Sequence, residues 1–302
     1  MRIAITGPTG MIGSELMDMA LSEGHEVIAI VRPSSKRMSN IPTSDRVTVV
    51  ESDISDYPSL KGRFSCDIFF HLAWDKTYGS DRDDTAVQSR NILYALDAVQ
   101  LAKDSGASAF IGAGSQAEYG LKDTPLNGDL PVSPSSGYGI AKYAAGRLCS
   151  LKCAQLGIRF NWARILSIFG ERDSDHTMIM YLIRSFMNGD VPELTKCEQM
   201  WDYMYSKDCA SALLAIGING ADGRTYCLGS GEPRPMKEYV ESVRDIVSPS
   251  SKIGFGLREY YPHQPMYLCA DISELGHDTG FEPRYTFEEG IRNIVSYLRS
   301  KE

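Results

Sequence analysis

The sequence predicts an α/β protein built on a doubly wound parallel sheet, with a smaller, partly interleaved region towards the C-terminus. Three observations point there. Short apolar runs alternate with longer segments of helical period over the first two-thirds of the chain, the pattern of successive βαβ units. The runs are nearly continuous in apolar residues, as strands covered on both faces must be. After about residue 165 prolines and glycines become frequent and the helical segments shorten. Right-handed crossovers between the parallel strands then give a Rossmann-type sheet.

The first strand is expected at 2–6 (RIAIT), followed by Gly7-Pro8-Thr9-Gly10-Met11-Ile12-Gly13 and a helix over 11–23. Glycines let the backbone turn tightly and approach a pyrophosphate, whose charge rests on the helix N-terminus. A glycine triplet alone is weak evidence, but here strand, loop and helix stand in the order that gives it meaning. Gly7, Thr9, Gly10, Met11, Ile12 and Gly13 are therefore expected to bind a dinucleotide.

The second strand, 26–31 (EVIAIV), ends at Val31-Arg32-Pro33-Ser34-Ser35-Lys36-Arg37. A carboxylate here would accept from the ribose hydroxyls of NAD. Cations and hydroxyls suit a 2′-phosphate instead. Arg32, Ser34, Lys36 and Arg37 thus favour NADP, with NAD the lesser expectation. After the third strand, 47–51, come Asp53 and Ile54 at the expected adenine site, then a short helix over 57–63. The fourth strand, 67–72, closes on His71-Leu72-Ala73-Trp74. Leu72, Ala73 and Trp74 are placed beside the cofactor ribose, and His71 is read as a packed core histidine. Ile165, closing the sixth strand, completes the cofactor contacts.

A helix over 84–105, a fifth strand at 108–112, a helix over 137–156 and a sixth strand at 158–165 carry the chemistry. Tyr138 and Lys142 stand four residues apart, which on a helix puts phenol and ammonium on one face a turn apart. The ammonium stabilises the phenolate and so helps Tyr138 act as acid or base near neutrality. Such a pair is common on surface helices and gains meaning from a third partner. Ser115, just past the fifth strand, is that partner. Ligands of open α/β sheets sit beyond the carboxyl ends of the strands, and a hydroxyl there can hold a substrate oxygen as hydride moves.

Bulk composition excludes other classes. The chain has 302 residues, 43% hydrophobic and 23% charged, ample for a large core. Its net charge of −8 opposes a nucleic-acid partner. Seven cysteines form no Cys-x-x-Cys pair, so neither a disulfide framework nor a metal site is expected and a reducing compartment fits. The chain opens directly on a strand, and no window approaches ~18 uninterrupted apolar residues. A cytoplasmic protein without signal peptide or membrane span is expected. Residues 1–165 and 201–230 read as the cofactor domain, and 166–200 with 231–302 as the substrate-binding region.

With Gly7–Gly13, Ser115, Tyr138 and Lys142 in order, the sequence resembles an extended short-chain dehydrogenase/reductase of the NAD-dependent epimerase/dehydratase family, over nearly its whole length. Arg164-Ile165-Leu166-Ser167-Ile168-Phe169-Gly170, Trp201-Asp202-Tyr203-Met204-Tyr205-Ser206-Lys207-Asp208 and Phe287-Glu288-Glu289-Gly290-Ile291 resemble three further family segments. The resemblance implies hydride chemistry on a nucleotide-activated sugar. Gln116 and Ala117 stand where dehydratases carry an Asp-Glu pair, and Ala117 stands where one epimerising type carries a cysteine. This leaves 4-keto reduction or 4-epimerisation. The basic loop favours NADPH-dependent reduction of a 4-keto-6-deoxyhexose, with 4-epimerisation as the alternative and a non-catalytic NADP(H) sensor as a third reading. By the same resemblance Ser115, Gln116, Ser167, His176, Trp201 and Arg258 are candidate substrate contacts. Trp201 replaces a diphosphate-binding arginine, with Arg258, Lys196 or Arg184 as its stand-in and Arg258 the first choice. A homodimer through a four-helix bundle of 84–105 and 137–156 is implied.

Overall fold

The computed structural model describes residues 1–77, 79–262 and 264–301. The first part of the chain runs β1 (Arg2–Thr6), α1 (Met11–Ser22), β2 (Glu26–Val31), β3 (Val47–Glu51) and β4 (Ile68–His71). It continues through α2 (Thr85–Asp104), β5 (Ala109–Ser115), α3 (Gly137–Leu156) and β6 (Arg159–Ile165). Then follow β7 (Ser167–Phe169), α4 (Met178–Asn188), β8 (Met200–Trp201), β9 (Tyr203–Tyr205) and α5 (Ser206–Asn219). The chain ends with β10 (Thr225–Leu228), β11 (Arg234–Pro235), α6 (Met236–Val247), α7 (Ser273–Thr279) and α8 (Phe287–Arg299).

Seven strands form one parallel sheet in the order β3-β2-β1-β4-β5-β6-β10. The expected doubly wound sheet is present, and β10 extends it beyond β6. Successive strand residues face opposite sides. Ile3, Ile5, Val27, Phe70 and Ile111 pack under α1 and α5, while Ala4, Ile28, Phe69 and Phe110 pack under α2 and α3. Both faces are apolar, which is why the strands read as unbroken hydrophobic runs. The strand order reverses between β1 and β4, and beyond their carboxyl ends such a sheet opens its crevice.

Beyond β6 the chain builds a second core. Ile179, Leu182 and Phe186 of α4, Val240 and Val243 of α6, and Ile291 and Ile294 of α8 close around Phe169. The Phe287 ring bridges them, 4.9 Å from Phe169 and 4.6 Å from Tyr239. Two small sheets, β7 with β9 and β8 with β11, tie this core to the large one.

Two element expectations are corrected. Residues 57–63 are not an α-helix; a kinked 3-10 segment spans Ile54–Leu60. Pro58 lies inside it without an N–H to donate, and the Asp53 carboxylate caps it at Ser55 N. The fifth strand does not stop at 112 but pairs with β6 as far as Ser115↔Ile165. Its glycines serve packing rather than a turn. A Cβ on Gly112 would stand 2.2 Å from the Trp162 ring, so the strand continues with the indole lying across it. Among the described residues no helix is long and apolar enough to cross a membrane.

Candidate active site

The loop after β1 is shaped by close backbone approach. Gly7 has φ +70°, and a Cβ there would stand 3.1 Å from Ala73 N, so a side chain is refused on both counts. Thr6 Oγ1 accepts from Leu72 N and Ala73 N, each at 3.1 Å, which locks the ends of β1 and β4 together. Gly10 is the N-cap of α1 and supplies no side-chain cap. The first amides of the helix, at Met11, Ile12 and Gly13, are thus left for an acceptor from outside. Thr9 is fixed by Ser35 Oγ, which donates to its hydroxyl at 3.1 Å, and by Asn40 Nδ2, which donates to its carbonyl at 2.9 Å.

His71 lies 3.0 Å from Thr6 Oγ1, buried between Tyr57 and Phe110. Burial, and secondarily the Lys142 charge, lowers its pKa to about 3, so it is a neutral packed ring. Asp53 is exposed and accepts from Ser55 N and Oγ, while Ile54 packs at the edge of the core.

Ser115, Tyr138 and Lys142 gather at the carboxyl end of β5. Ser136 caps α3 at Gly139 N, 3.1 Å away, and Asp83 Oδ1 accepts from Gly137 N at 2.6 Å. These bonds fix the turn that carries Tyr138. Lys142, one turn on, donates to Ala113 O at 2.7 Å, two residues before Ser115. Its ammonium lies 3.8 Å over the Trp74 ring and 5.7 Å from the Tyr138 ring centroid. Trp74 meets Tyr138 edge-on at 6.1 Å and donates to Gln88 Oε1 at 3.0 Å. Burial lowers the Lys142 pKa to about 7, against the opposing pull of Glu118. Ile165 stands opposite Ser115 in the sheet register.

Two groups escaped the sequence reading. Glu118 is fully buried. It accepts from Ser115 N (2.8 Å), Trp162 Nε1 (2.9 Å) and Arg164 Nε (2.7 Å). Ser115 Oγ in turn accepts from Ala117 N at 3.2 Å, closing a capping box around the serine. Its sequence signal is only a lone acid between Gly114 and Gly120, which does not separate it from a surface charge. The second is Arg82, whose guanidinium stacks 4.9 Å over the Tyr138 ring. Nothing in the run Asp81-Arg82-Asp83-Asp84 sets it apart from a solvated charge cluster.

On the substrate side, Gln116 follows Ser115 in a half-buried turn. Trp201 Nε1 donates to Ser167 Oγ at 2.9 Å, so these two candidates hold each other. Trp201 also packs against the core around Phe169 and against a smaller cluster of Tyr119, Leu126, Leu166, Cys227, Leu268 and Ala270. His176 is exposed ahead of α4. Arg258 is exposed and pairs with Glu193 at 3.4 Å, so it sits on the surface rather than among the catalytic side chains. Among the described residues no His, Cys, Asp or Glu group could hold a metal ion. All seven cysteines are buried and free.

Comparison with known proteins places this geometry. Residues 3–229 match the sequence profile of the NAD dependent epimerase/dehydratase family. The chain is 24% identical over 317 residues to an uncharacterized UDP-glucose epimerase, YtcB, of Bacillus subtilis, covering 99% of this chain and 98% of that one. It superimposes with a TM-score of 0.88 at 22% identity on the UDP-glucose 4-epimerase of Thermotoga maritima with UDP-glucose, covering 100% and 99% of the two chains. For UDP-glucuronic acid 4-epimerase of Bacillus cereus with UDP-glucuronic acid and NAD the values are 0.87 and 22%, with 100% of both chains covered.

These comparisons overturn two expectations. NADPH-dependent 4-keto reduction gives way to the 4-epimerase alternative because epimerases predominate among the relatives and neighbours, beside UDP-glucuronic acid decarboxylases and a CDP-abequose synthase. NADP gives way because most neighbours solved with a named cofactor carry NAD, against one, RMD of Pseudomonas aeruginosa, with NADPH. The physical reason lies on the turn after β2. Arg32, Ser34, Lys36 and Arg37 are all exposed there, and the hydroxyl that does point inward, Ser35, is spent on Thr9. Their exposure suits water as well as a 2′-phosphate, so the basic turn by itself is no evidence for NADP.

Proposed function

The chain belongs to the NAD dependent epimerase/dehydratase family, and from that premise we propose that it is an NAD-dependent 4-epimerase of a nucleotide-activated hexose. The observation that carries the reading is the meeting of Lys142 and Tyr138 with the Ser115 end of β5. The dinucleotide fits the loop: Gly7 leaves the space a Cβ would fill, and α1 begins without a side-chain cap. Gly7, Thr9, Gly10, Met11, Ile12 and Gly13 would hold its pyrophosphate. Asp53 and Ile54 would meet the adenine, and Leu72, Ala73, Trp74 and Ile165 would wall the ribose and nicotinamide. When bound, the nicotinamide supplies reversible hydride acceptance at the sugar carbon.

The protein's own part is to move a proton and to hold an oxygen. Tyr138 takes the proton of the sugar 4-hydroxyl and returns it to the same oxygen, whichever face of C4 the sugar presents to the nicotinamide. Ser115 holds that oxygen while its charge changes. Lys142 stabilises the phenolate and would anchor the nicotinamide ribose. Residues 1–165 and 201–230 would carry the cofactor, and 166–200 with 231–302 the sugar nucleotide. Ser115, Gln116, Ser167 and Trp201 would line the pocket, with His176 and Arg258 at its rim. We further place the protein in the cytoplasm, where buried free thiols persist. We assign it a homodimer through α2 and α3, whose Leu93, Ile140, Leu148 and Leu151 are exposed.

The test is to incubate the NAD-loaded protein with UDP-glucose and follow UDP-galactose by proton NMR. Interconversion without net change in absorbance at 340 nm supports the reading. Stoichiometric consumption of reduced nicotinamide with a keto-sugar, and no interconversion, would sink it.

A further inference from the structure

We propose that Arg82 is the anchor for a carboxylate on the sugar, so that the site prefers an acidic nucleotide sugar over a neutral one. The proposal rests on the 4-epimerase reading and names its substrate class. Arg82 lies in a run of four charged residues, and each of the three acids is committed elsewhere. Asp81 pairs with Lys76 at 3.0 Å. Asp83 accepts from Gly137 N, and Asp84 caps α2 at Ala86 N and Val87 N. The arginine instead turns inward over the Tyr138 ring, and among the described residues its buried Nε has no hydrogen-bond partner.

Stacking explains only part of this placement. Cation–π contact uses the face of the guanidinium and leaves its in-plane N–H donors aimed outward. A planar fork of donors in a partly buried setting matches a carboxylate, with two parallel charge-assisted bonds. The neighbouring cation is not the anchor, because Lys142, held by Ala113 O and the Trp74 face, is already given to the phenol and the ribose.

Sugar chemistry fixes which anion is meant. In a pyranose, C4 stands across the ring from C1, which bears the nucleotide. A cation on the face of the phenol that serves C4 therefore meets substituents of C3, C4 and C6, and the diphosphate lies at the far end. A carboxylate there comes from one of two sources: C6 of a hexuronate, or a lactyl ether on C3.

Initial rates with the NAD-loaded protein on UDP-glucose, UDP-glucuronate and UDP-N-acetylmuramate test it. The expected result is a kcat/KM roughly 10- to 100-fold higher for one acid than for UDP-glucose, the size of one charge-assisted hydrogen-bonded pair. Whichever acid is preferred identifies the carboxylate's position. Arg82→Gln should erase the preference, chiefly through KM, and Arg82→Lys should recover part of it. Preference for UDP-glucose over both acids, or an equal loss on all three sugars in Arg82→Gln, would overturn the proposal and leave the arginine as packing for Tyr138. Calorimetric affinities of the same three sugars for NAD-loaded Tyr138→Phe read the anchor without turnover. A retained acid preference with no epimerisation by the wild type sinks the 4-epimerase reading alone. Equal affinities sink the anchor alone, and binding of none of the three sinks both.

Discussion

At the scale of single residues, the proposed chemistry rests on three side chains, two of which were legible as a pair because their spacing is local. Tyr138 and Lys142 are joined by one helical turn, and Ser115 ends the strand that the helix crosses. Replacing Tyr138 by Phe keeps the ring that Arg82 and Trp74 pack against and removes only the hydroxyl proposed to carry the proton. Turnover should fall by roughly 100- to 10,000-fold while the NAD content of the purified protein is unchanged; retained turnover would refute the role. Lys142 makes a second prediction. Burial holds its pKa at about 7 against 10.5 for a solvated lysine. Between those values the unfolded chain binds a proton that the native state does not, so this group makes stability rise with pH. Below about pH 7 the buried charge is a full cost. Lys142→Met should therefore gain most over wild type in thermal melting near about pH 6, with the gain shrinking towards about pH 10. A difference that stays constant with pH would mean that Lys142 does not titrate in this range. Glu118 and Arg82 were not legible. Each looks like an ordinary surface charge until distant residues, Trp162, Arg164 and Tyr138, are brought against it.

At the scale of elements, the joint between α1 and the loop after β7 holds the cofactor helix to the C-terminal region. Arg172 reaches Asp18 at 2.7 Å and Glu15 at 3.5 Å, and Lys207 meets Glu171 at 3.5 Å. Burial outweighs Arg172 at Glu15 and raises its pKa from 4.5 to about 7. Here the sign is opposite to that of Lys142. The native state keeps a proton that the unfolded chain releases between those values, so stability through this group falls as pH rises. Glu15→Gln should melt above wild type at about pH 8, by on the order of 2–4 °C for each kcal/mol recovered, and close to it near about pH 4.5. A lower melting point at the higher pH would show that the Arg172 attraction wins. Elements with their own stop signals were legible. Asp84 and Ser136 cap α2 and α3, and Gly157 ends α3 in the left-handed region. Strands β8 and β11, two residues each, were not, since they exist only through their mutual pairing. The 57–63 segment was misplaced at both ends: the Asp53 cap starts it at Ile54, and it ends at Leu60, ahead of Gly62 with φ +77°.

At the scale of the whole molecule, two properties depend on surfaces rather than on motifs. Cofactor choice was misread because sequence gives the charge of a turn but not whether that turn closes on a ligand. The assembly is the other. Ile140, Leu148 and Leu151 fall on one stripe of α3, eight and three residues apart, and Leu93 of α2 is exposed as well. Leu93 and Leu151 are 60% and 61% exposed, a larger apolar display than a charged helix face needs for solubility. The same helix carries Tyr138 and Lys142 at its other end, so a partner packed along the stripe would stiffen the segment that places the phenol. Leu151→Glu should put a charge into that contact and shift the protein from about 67 to about 33 kDa in sedimentation velocity, twice and once the mass of the chain. Turnover should fall with it, through kcat more than KM, because the helix and not the sugar pocket is loosened. A variant that still sediments as a dimer would move the interface elsewhere and leave the exposed leucines unexplained.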